Sequence, residues 1–498
     1  MNSEQTEYIL SIDQGTSSTK TLIMDQNGEV LYKASEPLKT HYLSGGWVEQ
    51  EPQAIYENVI QSAIKCVDGF KAEGSDVSKI KTCGISNQRE TFVLWDKDGN
   101  PLYNAVVWQC KRSVDICKRL ENEGLSATLN KKTGLIIDPY FSGSKVIWLY
   151  ENEAKVRKAI DNGEAYFGNV DSWLLYNMTQ GESYLTDYTN ASRTMFFNLE
   201  TLQWDDELLA AFGLSGLKLP ELRPSSSHFG KTNLDGLLEQ EISIAGMIGD
   251  SHAAAFGEGC FDPGDAKATL GTGSSILMNI GDQPKSSDNG MVTTICWSVS
   301  GRVDYALEGI IVSAGATIEW VKNQLGLFDK VDELEAIYES VENNGGVYIV
   351  PAFSGLGAPH WDMNRKASIQ GLTFDSSKDH IIRAALESVP YQIKDVIVAM
   401  ESDSGTPLNE LKIDGGISSN KHLVQFLADL LGRKVTNIDV RDVSAIGVGY
   451  LAGLGSGVYQ NIDQLKSFNQ HKTSTNANLD TADVERAYQG WQKAIKGI

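Results

Sequence analysis

Ile9-Leu10-Ser11-Ile12-Asp13-Gln14-Gly15-Thr16-Ser17-Ser18-Thr19-Lys20 opens as an apolar strand and runs into a loop of glycine and hydroxyl side chains. The pattern returns in the second half as Ala268-Thr269-Leu270-Gly271-Thr272-Gly273-Ser274-Ser275. Each reads as a tight turn whose amides and hydroxyls hold a phosphate. Neither is a GxxxxGK[ST] loop, so the Walker arrangement is excluded. One glycine-threonine turn alone would carry little, because such turns are common. Two in tandem predict one nucleotide held between two related domains, and hence a phosphoryl-transfer enzyme.

The 498 residues exceed what one core holds comfortably, so two or three domains are expected. An apolar fraction of 41% and 47 glycines against 12 prolines fit a soluble α/β chain with many strand-end turns. The 43 basic and 65 acidic residues leave a net charge of −22. That balance argues against nucleic acid as a partner and requires local donors for any anionic ligand. Six cysteines form no CxxC pair and seven histidines show no zinc-like spacing. Met1 to Glu7 is polar, and no apolar run reaches membrane-spanning length. The expectation is a cytoplasmic protein without membrane insertion.

Periodicity predicts strands over Tyr8 to Ile12, Lys20 to Met24 and Glu29 to Ala34, with a turn at Asp25-Gln26-Asn27-Gly28. A helix is expected over Gln53 to Cys66, and a strand over Ile80 to Ile85. Leu214 to His228 reads as loop. The main boundary is placed near 240–250, dividing the chain into 1–247 and 248–498, with Ile244 to Asp250 restarting the second half. Pro390, inside a helical pattern from Asp379 to Met400, either kinks or breaks it. Ala445 to Gly453 is rich in small residues, which suits close helix packing. Lys466 to Leu479 reads as a loose tail.

Phosphoryl transfer needs a carboxylate near Mg²⁺ and donors around the moving oxygens. Asp13, Thr16, Ser17 and Lys20 supply part of that set; the competing reading of Asp13 is a turn aspartate. Ser86 to Glu90 is a polar cluster after an apolar strand, and Arg89 and Glu90 offer a donor and an acceptor to a hydroxyl-rich ligand. Asp250 ends a strand and is the general-base candidate, with a helix N-cap as its plain alternative. His252 is adjacent, but adjacency is not geometry. Trp108 and Tyr140 offer flat walls to a carbon chain. Asp414-Gly415-Gly416 brings backbone close to a nucleotide or makes a plain strand-to-helix turn.

These elements together resemble the FGGY carbohydrate kinases, closest to the branch that phosphorylates glycerol. Tyr140 to Trp148 looks like the first family signature, and Gly415 to Gly432 like the second. Ser86 to Glu90, Asn104 to Cys110, Thr186 to Thr194 and Pro351 to Pro359 are similar to that branch as well. The resemblance implies a two-domain actin-like (ribonuclease H-like) α/β ATPase fold with the active site in the interdomain cleft. It implies ATP and Mg²⁺, the latter organised by Asp13, and transfer to a terminal hydroxyl of a small polyol with Asp250 as base. Arg89, Glu90, Trp108, Tyr140 and Asp250 would hold the polyol. Thr16, Ser17, Ser18 and Lys20 would approach phosphate. Thr272, Gly315, Gly416 and Asn420 would line the nucleotide site, joined by Glu319, which replaces a glutamine common in that branch. Ser251 and Ser275 stand where the branch has glutamine and phenylalanine, which predicts a larger, wetter acceptor pocket. Glycerol leads as substrate, with a tetritol, pentitol, dihydroxyacetone or pentulose as alternative. A non-catalytic actin-like scaffold is the alternative of another class. A homodimer or homotetramer is expected.

Overall fold

The computed structural model describes residues 7–299, 301–468, 472–478 and 481–497. The stretch quoted first forms β1 (Tyr8–Gln14) and β2 (Ser18–Asp25), an antiparallel pair closed by the Gly15 loop. β3 (Val30–Pro37) pairs with β2, while β4 (Ile80–Asn87) lies parallel to β1 on its other side. β5 (Ser226–Thr232) and β6 (Ile242–Gly249) complete a six-stranded sheet in the order β5-β6-β4-β1-β2-β3. β1, β4 and β6 are buried along nearly their whole length because both faces are covered. α1 (Pro52–Ala72) packs on the β2–β3 side. Its apolar residues recur at helical spacing, with Pro52 starting the first turn, where no amide is needed.

The second sheet repeats this plan. β7 (Asp265–Leu270) and β8 (Ser274–Gly281) form an antiparallel pair closed by the Gly271–Gly273 loop. β9 (Val292–Val299) and β10 (Arg302–Ile311) extend it on the β8 side. β11 (Glu410–Asp414) and β12 (Val435–Ile438) run parallel to β7, and β13 (Lys472–Thr475) closes the edge. In both sheets, then, a phosphate-type hairpin abuts two parallel strands. The duplication visible in two loops extends to the whole topology of a two-domain α/β fold. A five-stranded sheet between His41 and Asn169 forms a separate layer in the first half, and α2 (Ser142–Asn152) follows the Tyr140 loop.

Three expectations are corrected. The strand expected to restart the second half is β6, which pairs parallel with β4 inside the first sheet. The chain leaves that sheet only through α3 (Asp250–Gly257). The loose tail contains β13, although 469–471 and 479 lie outside the described residues. The expected loop up to His228 contains a short strand, Glu221–Arg223, and the start of β5. α4 (Gly315–Asn323) follows β10, and α5 (Lys378–Ser404) runs unbroken through Pro390. α6 (Lys421–Leu431) follows the Gly415 turn.

Division of the chain in sequence is not division in space. α7 (Val443–Ser456), the small-residue helix, packs back against β1, β4 and β6. A Cβ on Gly84 would stand 2.6 Å from the Val448 carbonyl oxygen, and one on Gly246 would stand 2.7 Å from the Ala452 amide nitrogen. No side chain fits there, so glycine and alanine set the approach of helix to sheet. Among the described residues no helix is long and apolar enough to cross a membrane.

Candidate active site

A cavity of about 1200 Å³ opens between the two phosphate-type hairpins. The first half contributes Asp13, Thr16 and Lys20 from the β1–β2 hairpin, Arg89 and Glu90 from the end of β4, and the Trp108–Tyr140 pair. Asp250 and Ser251 enter from the start of α3, and Ser275 from β8. A second hollow of about 520 Å³ is lined by Thr272, Gly315, Glu319, Trp320 and Ile417. Gly416 borders both, so the two spaces adjoin at that backbone turn.

The two loops are built alike. The Gly15 N–H donates to Ser18 O at 3.0 Å, and the Gly271 N–H donates to Gly273 O at 3.0 Å. Thr16 is held at its hydroxyl, which accepts from Trp108 Nε1 at 3.0 Å and donates to Gln88 Oε1 at 3.3 Å. Ser17 and Ser18 are not brought to the cavity; their carbonyls accept from Leu38 and Gly15 and shape the turn. Asn420 is likewise outside both spaces. Its Oδ1 accepts the amides of His422 and Leu423 at 3.1 and 2.9 Å, capping α6.

Glu90 adopts φ +57°, a left-handed backbone that a non-glycine residue rarely takes. Arg89 Nε lies 3.3 Å from Asp250 Oδ1, and its Nη2 donates to Glu308 Oε1 at 2.9 Å. Glu90 Oε1 instead accepts from Arg193 Nε at 2.6 Å, and Arg193 Nη1 lies 2.7 Å from Glu308 Oε2. The result is a chain of charges, Asp250–Arg89–Glu308–Arg193–Glu90, whose last three members are 1% exposed. Arg193 and Glu308 were not anticipated. Glu308 had a signal: it is the one charged residue in the otherwise apolar run Tyr305 to Ile311. Burial raises its carboxyl, but Arg193 and Arg89 outweigh burial and hold it well below the usual carboxylate range. Burial pushes the Glu90 carboxyl up, with Arg193 and Arg89 opposing.

Asp250 is the first residue of α3, with Gly249 as the N-cap, so the capping alternative does not hold. Its side chain accepts the Ser251 amide at 2.7 Å and is 38% exposed, toward the cavity. His252 is buried, does not line the cavity, and is kept neutral by burial and by Arg89. Ser275 Oγ donates to Glu308 Oε1 at 3.2 Å, whereas the buried Ser251 Oγ has no partner among the described residues. Trp108 and Tyr140 meet edge to face at 5.6 Å. The Tyr140 loop is pinned from beneath by Lys145 Nζ, which donates to the carbonyls of Pro139, Tyr140 and Phe141 at 2.6, 2.8 and 3.0 Å.

Asp13 receives one hydrogen bond, from Ser86 Oγ to Oδ1 at 2.9 Å. Burial, then the Asp250 charge, pushes its carboxyl up to about 6. A divalent cation placed there would relieve both effects, so Asp13 fits a Mg²⁺ contact. No cluster of three or more histidine, cysteine or acidic side chains able to hold a metal exists among the described residues. A stability prediction follows from the sign of this shift. The unfolded aspartate ionises near 3.8 and the folded one near 6, so folding loses stability as pH rises between those values. Asp13→Asn is expected to raise the melting temperature of the ligand-free protein. The gain grows from pH 4 to 6 and is level above, as melting curves across pH 4–8 would record. A gain independent of pH would contradict the assignment.

The family profile described as "FGGY family of carbohydrate kinases, N-terminal domain" matches residues 8–257, and its C-terminal counterpart matches 266–456. The glycerol kinase of Thermoanaerobacter pseudethanolicus is 44% identical over 492 residues, covering 98% of both chains. A glycerol kinase of Escherichia coli is 43% identical over 491 residues, covering 98% of this chain and 97% of that one. The crystal structure of Plasmodium falciparum glycerol kinase with ADP superposes with a TM-score of 0.93 at 35% identity, covering 99% of this chain and 98% of that one. Two sheets of repeated plan, both domain profiles in order and full-length relatives agree: the chain belongs to the FGGY family of carbohydrate kinases.

Proposed function

We propose that this protein transfers the γ-phosphoryl group of ATP to a terminal hydroxyl of glycerol, giving glycerol 3-phosphate and ADP. The observation that carries the reading is the Asp250 carboxylate, open to a cavity that also holds Asp13, Arg89, Glu90 and the aromatic pair. The names of the full-length relatives support glycerol as the acceptor.

In this reading Arg89 and Glu90 bond the hydroxyls that do not react, and Trp108 and Tyr140 cover the carbon chain. Asp250 takes the proton of the reacting hydroxyl as its oxygen bonds to the γ-phosphorus. The bond from that phosphorus to the β–γ bridging oxygen breaks, and ADP leaves with the electron pair. Thr16 and Lys20 face the phosphates from the first hairpin, with Thr272 and Gly416 on the other side. Gly315 and Glu319 line the nucleotide end. Mg²⁺, when held by Asp13, neutralises charge on the phosphate oxygens. The part of the chain up to the end of β6 would mainly bind the polyol and the part after it mainly the nucleotide, with the active site in the cleft between them.

A second acceptor class is favoured by one observation. Ser251 Oγ is buried without a partner, and Ser275 adds a second hydroxyl to the same cavity. A four- or five-carbon polyol, or a small ketose, would offer these groups an extra hydroxyl. The test is coupled ADP release with glycerol, dihydroxyacetone, tetritols, pentitols and pentuloses, compared by kcat/KM. Glycerol leading is the expected result. A four- or five-carbon acceptor leading replaces glycerol as the substrate. No acceptor-dependent turnover favours a nucleotide-binding scaffold.

A further inference from the structure

Phosphate must be met by local cations in a chain of net charge −22, and most cations lining the cavity are already engaged. Lys20 Nζ lies 2.8 Å from Asp442, and Arg89 is shared between Asp250 and Glu308. Lys421 is exposed and faces Glu335 and Glu339, and Arg441 is exposed. Lys267 differs from all of these. It is 2% exposed yet lines the cavity, and no carboxylate of the described residues lies within ion-pair distance. Its Nζ donates to Thr269 Oγ1 at 3.0 Å. A buried ammonium without a counter-charge is costly, and an arriving anion removes that cost.

Its place in the fold points the same way. Lys267 and Thr269 share one face of β7, leading up to the Gly271–Gly273 loop. Thr269 is opposite Ser275 on β8 and opposite Asp414 on β11. We propose that Lys267 binds the phosphoryl group during its transfer, as the buried cation that the reaction's developing charge meets. The groups facing it do not neutralise it. Lys412, its register partner on β11, is satisfied by Asp265 at 3.2 Å and by the Gly259 carbonyl at 2.6 Å. From α3, His252 is held neutral by burial and Arg89, and at its C-cap burial and then Asp414 push the Glu258 carboxyl up to about 8, with Lys267 opposing. Asp414, the register partner of Thr269, makes no ion pair with Lys267 among the described residues.

The inference rests on the kinase reading, and the parent enzyme separates the two. Absence of polyol-dependent ADP release by the parent defeats that reading of function, whereas the Lys267 assignment is judged on variants of an active parent. Lys267→Met is expected to lower kcat at least about 100-fold, the loss typical of removing one donor from a developing anion. Calorimetry without polyol should show ATP affinity falling at least about tenfold while ADP affinity and the polyol KM stay within about threefold, because only ATP carries the group that Lys267 meets. Methylammonium should restore part of the activity of Lys267→Ala, which a merely structural lysine would not allow. Parent-like kcat in Lys267→Met, or equal weakening of ATP and ADP, overturns the proposal. If the uncharged variants do not fold, Lys267→Arg decides. Its displaced charge should cost about tenfold in kcat at unchanged ADP affinity, and parent kinetics would overturn the assignment.

Discussion

Asp250→Asn is expected to lower kcat about 10³-fold, within the range that a positioned general base contributes. The replacement keeps the shape of the side chain and its acceptor oxygen for the Ser251 amide, so the start of α3 is preserved. Arg89 loses one charged neighbour but retains Glu308, so the buried charge chain stays closed. The polyol KM should therefore change far less than kcat, the signature of an interaction made in the transition state. Coupled ADP release measures both, and a melting curve confirms the fold. A loss of kcat below about tenfold would remove Asp250 as the base and leave it a binding group.

The second large effect is on stability. Glu308→Ala leaves Arg89 with the partly exposed Asp250 and Arg193 with Glu90, and removes the buried carboxylate that the two guanidiniums, 6% and 1% exposed, share. Breaking a buried pair by removing one partner costs about 3–5 kcal/mol, because the remaining charge is uncompensated. Here each guanidinium keeps a second carboxylate, which places the expectation at the lower end. Chemical denaturation of parent and variant at pH 7 would measure it. The Glu308 pKa is depressed in the folded state. The contribution is thus complete above the ordinary glutamate range and is lost only as pH falls through the lower folded value. A difference below about 1 kcal/mol would mean that the cluster rearranges around the gap. Substrate affinity should fall as well, since Glu308 holds Arg89 toward Asp250 and Arg193 holds Glu90.

The phosphate-type hairpins were legible because each is local: an apolar strand, glycine at the turn, hydroxyls after it. The aromatic wall and Asp250 were legible as residue types at strand and helix ends, and the cavity gathers them. Ser17, Ser18 and Asn420 carried the right chemistry in the right motif but do not line the cavity; the carbonyls of two shape the first turn and the side chain of the third caps a helix. Glu308 and Arg193 were missed for the opposite reason. Each is 115 residues from the other, and nothing local in either stretch records that they meet.

By itself the sequence determined the duplicated plan, the two-domain α/β class, the phosphoryl-transfer chemistry and the family signatures. All of these rest on periodicity, turn residues and spacing within a few positions, which the chain encodes locally. Tertiary structure alone decided that β6 belongs to the first sheet and that α7 returns to it. It also decided that Arg89 and Glu90 are held apart by a carboxylate and a guanidinium from distant segments, and that Lys267 makes no ion pair among the described residues. Those outcomes depend on which strand finds which neighbour and on how closely backbones approach at Gly84 and Gly246. Pairing, burial and electrostatic balance are properties of groups brought together across the whole chain, and no window of the sequence contains both partners.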